Sequence, residues 1–151
     1  MPQSLDRELL YVLHDVARLI RVKADQRART RGMTRAQWVI LSRLERQPGL
    51  SQNEMAAIVE VEPITIARLV DRLEAAGYVE RRADPKDRRI WRLHLTAAAE
   101  PVLVEIKKHK AELHSEITAG VDPAILDQMV EGLLKLKANL TSDGRTVLRA
   151  V

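Results

Sequence analysis

A short segment of alternating residues stands between long helical patterns. It runs from Tyr78 to Thr96 and reads YVERRADPKDRRIWRLHLT. Apolar and polar residues alternate from Glu80 to Arg82 and from Ile90 to Leu95, and the intervening ADPKD supplies the Asp and Pro that β-turns favour. The pattern predicts a two-stranded hairpin joined by a tight turn, with Lys86, Arg88 and Arg89 at its tip. Because a lone hairpin is marginal in water, it has to pack against neighbouring helices.

The composition favours a helical body around that hairpin. The chain has 151 residues, of which 46% are hydrophobic, but it has no Phe and only 3% aromatic residues. A core built from Leu, Ile, Val and Ala favours helix packing over an aromatic-rich β-sandwich. We therefore expect a single domain that is mainly α with a small β-hairpin.

The basic hairpin tip suggests a polyanionic partner. The chain has a net charge of +4 and a sequence pI of about 9.7, although acidic residues are also plentiful. Charge runs are usually solvated, so an exposed turn without a ligand is the alternative.

The sequence lacks features that several kinds of site and several classes of protein require. The absence of Cys excludes disulfides, thiolate metal sites and cysteine redox sensing. The N-terminus has no cationic start followed by an unbroken apolar run, and no stretch approaches about 18 apolar residues. We therefore expect no signal peptide, no membrane span, no cofactor or metal, and a cytoplasmic location.

The first predicted helix carries a wide apolar stripe. From Leu5 to about Arg29, apolar residues recur at helical spacing, at Leu5, Leu9, Leu10, Val12, Leu13, Val16, Ala17, Leu19 and Ile20. Such a stripe is too wide for a lone surface helix, so we expect the domain on one side and another chain on the other. Gly32 ends this helix, and Thr34 is the predicted N-cap of the next, which ends before Pro48-Gly49.

The two helices that follow are short and close together. Ser51 and Glu54 form a capping-box pattern for a helix from about Gln52 to Val59. Another helix opens at Pro63, a residue suited to the first turn, and Gly77 closes it. Only Glu60-Val61-Glu62 separates the two, which is the geometry of a helix-turn-helix.

Two further helices follow the hairpin. A helical pattern runs from Thr96 to about Ala119, and its Pro101 either lies in the opening turn or kinks the helix. Asp122-Pro123 then supplies an N-cap and a first helical residue for a last helix from Ala124 to about Leu140. The order of the tail from Thr141 to Val151 is left open.

The segment from Leu50 to Thr96 resembles the MarR/SlyA family of bacterial winged-helix transcription regulators. It contains LSQNEMA, EPITIARLVDRLEAAGYVERR, DPKDRR and LHLT in the family's order and spacing. The resemblance covers almost the whole chain in element order. It implies one MarR-type domain over 1–151, with a winged helix-turn-helix at 34–96, dimerisation helices at 5–30 and 97–140, and a tail at 141–151. Two residues depart from the pattern, because Glu60 replaces a usual Gly and Glu62 replaces the Ser or Thr of many relatives.

The helix that opens at Pro63 is the predicted recognition helix. Its apolar residues Ile66, Leu69, Val70 and Leu73 should face inward, which leaves Ile64, Thr65, Arg68 and Arg72 on the outer face. The first residues of such a helix reach base edges, so Ile64 and Thr65 could touch thymine methyl groups. Arg68 could address a guanine edge or a phosphate, or could instead pair with Asp87.

The family resemblance implies that Asp87 orients Arg68 and that Arg89 enters the minor groove, where its charge senses groove width. Lys86 and Arg88 are expected to contact phosphates. Amides at the start of the preceding helix can also hold a phosphate, although capping is an equal role for Ser51. Arg81 and Arg82 can equally form a solvated strand face. The candidate DNA contacts are Ser51, Gln52, Pro63, Ile64, Thr65, Arg68, Arg72, Lys86, Asp87, Arg88 and Arg89.

The expected partners are double-stranded DNA and a second copy of the chain. One winged helix covers too little DNA for high specificity, so a homodimer on a pseudo-palindromic site is expected. The resemblance also implies a small phenolic or aromatic carboxylate effector that releases DNA. Its candidate contacts are His14, Arg18 and Trp38. The alternative roles are a helix-surface or interface residue for His14, a solvated charge for Arg18 and a core residue for Trp38.

Two other classes compete with this interpretation. An enzyme is disfavoured because the His residues at 14, 94, 109 and 114 share no helix face with paired carboxylates, and no glycine-rich phosphate loop occurs. A non-specific architectural DNA-binding protein would share the basic hairpin. It would show a steep salt dependence without a preferred sequence.

Overall fold

The computed structural model describes residues 5–141, with side chains from residue 8 onward. The elements follow one another in the predicted order. They are α1 (Leu5–Arg29), α2 (Arg35–Arg46), α3 (Gln52–Val59), α4 (Pro63–Ala75), β1 (Val79–Ala83), β2 (Trp91–Leu95), α5 (Glu100–Ile117) and α6 (Pro123–Thr141). The mainly α fold with a small hairpin is confirmed, whereas the predicted tail beyond residue 141 lies outside the described residues.

Local capping chemistry fixes the helix starts where the sequence predicts them. Thr34 caps α2, with Oγ1 accepting from the amide of Gln37 at 3.3 Å. Ser51 caps α3 through a reciprocal box, because its Oγ accepts from the Glu54 amide at 3.1 Å and Glu54 Oε2 accepts from the Ser51 amide at 2.7 Å. Pro63 is the first residue of α4.

The residue that ends α3 adopts a left-handed conformation. Glu60 has φ 59° and ψ 45°, and among the described non-glycine residues it alone has a positive φ. Its amide reaches back to the carbonyl groups of Ala56 and Ala57, which ends α3. A side chain in this region costs about 1–2 kcal/mol relative to a relaxed backbone. The departure noted at Glu60 therefore has a structural cost.

An aliphatic core lies between α2, α3, α4, the hairpin and the first half of α5. Its largest fully buried side chains are Ile40, Leu41, Leu44, Met55, Ile66, Val70, Leu73, Val79 and Leu93. From α5, Val102, Leu103 and Ile106 close the cluster. This core holds the helix-turn-helix and the hairpin in one unit.

The hairpin is antiparallel, and its strands begin and end differently from the prediction. Val79 pairs with Leu95 and Ala83 with Trp91. Ile90 belongs to the connecting loop, because β2 begins at Trp91 and the Ile90 amide donates back to the carbonyl of Asp87 at 3.0 Å. The predicted tight turn is therefore wrong, and a longer loop joins the strands.

The second strand also pairs with the chain just before α3. The amide of Gly49 donates to the carbonyl of Leu93 at 2.9 Å, and the amide of Leu93 donates to Leu50 at 3.0 Å. A bridge between Ser51 and Arg92 extends this pairing. The hairpin thus has the support that an isolated pair of strands lacks.

The C-terminal half settles the alternative left open for Pro101. A 3₁₀ turn at Ala97–Ala99 precedes α5, and Pro101 lies in the opening turn of α5 without an interior kink. Helix α6 begins at Pro123, where Asp122 Oδ1 accepts from the Ala124 amide at 2.8 Å.

Helices α1 and α6 expose long apolar faces. Exposed apolar side chains on α1 include Leu9, Leu10, Tyr11, Val12, Leu13, Val16, Leu19 and Val22, and those on α6 include Ile125, Met129, Val130, Leu133 and Leu134. None of the α6 residues is buried. Together the two helices line an apolar groove of about 470 Å³. Over residues 5–141, no helix is both long and apolar enough to cross a membrane.

Candidate nucleic-acid interface

The outer face of α4 is arranged as predicted. Ile66, Leu69, Val70 and Leu73 are buried in the core, while Ile64, Thr65, Arg68 and Arg72 are exposed. Ile64 is 65% exposed even though it is a large apolar residue. Since this side chain lies in the first turn after Pro63, the helix presents an apolar contact and a hydroxyl at its N-terminal end. That combination suits thymine methyl groups and base edges in a major groove.

The start of α3 lies close to α4, because the side chain of Arg81 contacts both Gln52 and the carbonyl of Ala67. The capping box engages the amides of Ser51 and Glu54, which leaves those of Gln52 and Asn53 without an intrahelical acceptor. The cap predicted for Ser51 is therefore confirmed. The side chain of Gln52 is bound by Arg81, whose Nε donates to its Oε1 at 3.1 Å.

Asp84 organises the loop between the strands. Its carboxylate accepts from the amides of Lys86 at 2.7 Å and Asp87 at 3.1 Å, and from Nε of Arg92 at 2.8 Å. The backbone hydrogen bond from Lys86 and then the side chain of Arg92 hold the pKa of Asp84 below its ordinary value. The ionised carboxylate therefore shapes a loop that exposes Lys86, Arg88 and Arg89.

The ion pair predicted between Arg68 and Asp87 is wrong. Asp87 instead binds Arg89, with Nε donating to Oδ1 and Nη2 donating to Oδ2, both at 3.0 Å. These bonds lower the pKa of Asp87 and raise that of Arg89. Asp87 pairs with Arg89 because Arg89 lies two residues away in the same loop, whereas Arg68 is on a separate helix. The Arg89 side chain remains 90% exposed and so stays accessible at the loop tip.

Two adjacent arginines, for which the sequence predicted the same possible role, lie on opposite faces of β1. Arg82 lies on the outer face of β1, where it binds Glu80, and its side chain is 58% exposed. Arg81 lies on the inner face with the buried Val79, and its side chain is only 16% exposed. A solvated strand face is therefore wrong for Arg81. The two-residue period of a strand, applied from Val79, was the signal that could have separated them.

A cavity of about 290 Å³ lies between α1, α2 and α5. It is lined by Ile20 and Ala24, by Trp38, Val39, Ser42, Arg43 and Arg46, and by Ile106, His109, Lys110 and Leu113. Trp38 and His109 meet edge to face, with ring centroids 5.6 Å apart. Within the described part of the chain, Trp38 Nε1 and His109 Nε2 are buried without a hydrogen-bond partner.

Cationic side chains stand at the edge of this cavity. Burial lowers the pKa of Lys110, with Arg46 adding to the effect, and burial followed by Arg27 lowers the pKa of His109. An anion bound in the cavity would raise the pKa of both groups and so counteract these shifts. The sequence did not single out His109, Arg43 or Lys110, because their proximity depends on how α2 and α5 cross.

The predicted effector contacts do not come together. Trp38 is 4% exposed and lines the cavity, but His14 and Arg18 do not. His14 is exposed on α1, and Arg18 pairs with Asp15 at 2.6 Å. His14 and Arg18 therefore do not line the cavity that Trp38 lines, and their role as effector contacts stays a prediction.

Comparison with known proteins identifies the family. A model of the MarR family matches residues 33–91. The transcriptional regulator PA3341 is 32% identical, with a TM-score of 0.77 and coverage of 87% of this chain and 97% of that chain. The chain belongs to the MarR family. MarR itself is 26% identical, with a TM-score of 0.74 over 93% of this chain and 95% of its own.

The MarR-family fold extends beyond the matched segment. A MarR transcriptional regulator from Methanosarcina mazei Go1 is 23% identical, with a TM-score of 0.79 over 88% of this chain and 96% of that chain. A likeness at this identity shows the fold, including helices outside residues 33–91. The resemblance drawn from Leu50 to Thr96 is confirmed, and this MarR-family chain is a winged-helix transcription regulator.

Proposed function

We propose that this MarR-family regulator binds DNA as a homodimer at a pseudo-palindromic site. The observation that carries the proposal is the exposed face of α4 beside the exposed basic loop of the hairpin, which we call the wing. An exposed Ile64 at the first turn of a helix is explained by a major-groove contact, and a 90% exposed Arg89 at the wing tip suits the narrower minor groove.

Each candidate residue then has a distinct role. Ile64 and Thr65, next to Pro63, address base edges, and Arg68 and Arg72 address a guanine edge or phosphates. Lys86 and Arg88 anchor the wing on the backbone, while Asp87 holds Arg89 in the free protein. Ser51 and Gln52 bring the amides at the start of α3 to another phosphate.

The second copy of the chain is assigned to the apolar faces of α1 and α6. Exposed apolar faces of this length mark interaction surfaces. Two copies related by a two-fold axis would place two recognition helices about one helical turn of DNA apart, roughly 10 bp. We therefore assign 34–96 to DNA binding and 5–30 with 97–140 to dimerisation.

The cavity beside Trp38 favours a second role, as an effector site. Its aromatic wall and the rim formed by Arg43, Arg46 and Lys110 fit a small aromatic carboxylate. The buried indole N–H of Trp38 can only donate, so an anionic oxygen would satisfy it. Occupancy would press on α1, α2 and α5 and alter the spacing of the two DNA-binding units.

Selection of binding sites from a random DNA library tests the DNA-binding mode. We expect a short palindrome, in contrast to an architectural protein that shows salt dependence without a sequence preference. Arg89→Ala should weaken binding to all sites, whereas Thr65→Ala should change the preference at one position per half-site. The reverse pattern would refute the assignment of the two residues.

Titration with salicylate tests the effector site. Binding should be lost in Trp38→Phe and weakened in Lys110→Gln, because these changes remove a buried donor and a rim charge. His14→Ala serves as the control and should bind as the wild type does. Equal affinity for salicylate in the wild type and all three variants would argue against the cavity as the effector site.

A further inference from the structure

The side chain of Arg81 joins three parts of the proposed DNA interface. From β1, its Nε donates to Gln52 Oε1 at the start of α3, at 3.1 Å. Its terminal nitrogens reach α4, where Nη1 donates to Glu74 at 3.2 Å and Nη2 donates to Asp71 at 2.7 Å and to the carbonyl of Ala67 at 3.1 Å. The backbone amide of Arg81 also donates to Glu74, at 3.2 Å.

These contacts leave Arg81 poorly placed to bind DNA. All three of its guanidinium nitrogens donate to protein acceptors, and the side chain is only 16% exposed. Its two carboxylate partners, Asp71 and Glu74, are 64% and 44% exposed. A cation that is already bound to two carboxylates has little attraction left for a phosphate.

The same contacts define the direction of the wing. A guanidinium is planar and presents its donors in a fixed fork, so several acceptors around it fix its position and that of its strand. Recognition helix and wing have to meet the major and minor grooves of one half-site together. A rigid link between them lets the second contact form without a further loss of freedom.

Arg81 also sets the polarity of Gln52. Because a guanidinium only donates, the carboxamide of Gln52 has to turn its oxygen toward Arg81. The amide NH₂ group then points away from Arg81 and can donate to a phosphate. The arrangement gives Gln52 the hydrogen-bonding polarity that a DNA backbone contact needs.

We infer that Arg81 is a positioning residue for DNA binding. It holds the wing, the recognition helix and the start of α3 in the placement that lets all three meet one half-site. This inference rests on the DNA-binding mode proposed above.

A double-mutant cycle with Arg89→Ala tests the inference, using the selected palindrome as the probe. Arg81→Lys keeps the charge but cannot reach the same acceptors, and Arg82→Lys is the adjacent control. The factor by which Arg89→Ala raises the dissociation constant should be at least about threefold smaller in the Arg81→Lys protein than in the wild type. In the Arg82→Lys protein this factor should be the same as in the wild type.

A milder variant keeps the test valid where Arg81→Lys folds poorly. Asp71→Asn weakens the 2.7 Å bond at an exposed position, and the cost of Arg89→Ala should shrink there as well. Glu80→Gln removes an equal charge from the outer face and is its control. An unchanged cost of Arg89→Ala in both Arg81→Lys and Asp71→Asn would overturn the inference while leaving the proposed function intact. Absence of any preferred site for the wild type would overturn both.

Discussion

The carboxylate of Asp87 grips the guanidinium of Arg89 through two hydrogen bonds of 3.0 Å at the tip of the wing. In the free protein, the residue proposed to enter the minor groove is therefore already bound to an anion. In the proposed complex, DNA competes with Asp87 for Arg89, and this competition weakens binding at sites whose minor groove has a weak negative potential.

Replacing Asp87 should loosen this restraint. In Asp87→Asn, we expect affinity for random DNA to rise about two- to fivefold, the range of an exposed ion pair, while the ratio of operator to random affinity falls. Fluorescence anisotropy with labelled duplexes measures both. Glu80→Gln removes an equal charge on the outer strand face, so an identical effect in the two variants would point to charge alone.

Glycine at position 60 should relieve strain. Glu60 occupies a left-handed conformation that glycine adopts freely, although glycine also makes the unfolded chain more flexible. We expect Glu60→Gly to be more stable than wild type by up to about 1 kcal/mol. Urea unfolding measures the difference. Glu60→Gln keeps the strain and removes the charge, and it should unfold like the wild type; a Gly variant less stable than the Gln variant would contradict the strain argument.

The elements that the sequence predicts correctly depend on short-range chemistry. The caps at Thr34 and Ser51 act over three residues, and Pro63 acts at its own position, so a linear pattern is sufficient to identify them. The division of α4 into a buried and an exposed face follows from the helical period for the same reason.

The parts that the sequence misses depend on how distant segments meet. The acceptors of Arg81 include Gln52, which is 29 residues away, and no local pattern reveals that contact. Pairing of Asp87 with Arg89 is local, but it depends on the path of the loop between the strands, which also places Ile90 outside β2. The separation of His14 from Trp38 depends on the rotation of α1, which its wide apolar stripe does not determine.

A charge on the apolar face of α6 should separate the two copies. Leu133 is 43% exposed and lines the groove with α1. Since burying a carboxylate there is costly, Leu133→Glu should weaken dimerisation at least about tenfold. Sedimentation velocity measures the dissociation constant of the dimer. Ile64→Glu, with its charge on α4, should remain dimeric and lose DNA binding; a wild type that stays monomeric at micromolar concentration would refute the assignment.

The stability of the fold should depend on pH through His109. Its ordinary pKa is 6.5, and burial, then Arg27, lowers it in the folded chain. As pH falls below about 6.5, the unfolded chain takes up a proton before the folded chain does, so stability is full above that pH and declines as pH falls toward the lower folded pKa. His109→Gln should lose less stability than wild type between about pH 8 and pH 5.

Thermal unfolding at the two pH values measures this effect. His14→Gln is the matched control, since it makes the same change at an exposed histidine on α1. An equally reduced pH dependence in both variants would contradict the assignment to His109.

The exposure of α6 has a thermodynamic consequence. Along its 19 residues, α6 buries none of its side chains within its own chain. Most of the stability of a helix in a protein comes from packing of its apolar face, so in the proposed homodimer contacts with the second chain supply most of the stability of α6. Folding of α6 and association of two chains are then a single equilibrium governed by mass action, and the melting temperature should rise with protein concentration. If the proposed homodimer is correct, a cell that makes little of this protein would hold chains in which α6 has not yet formed.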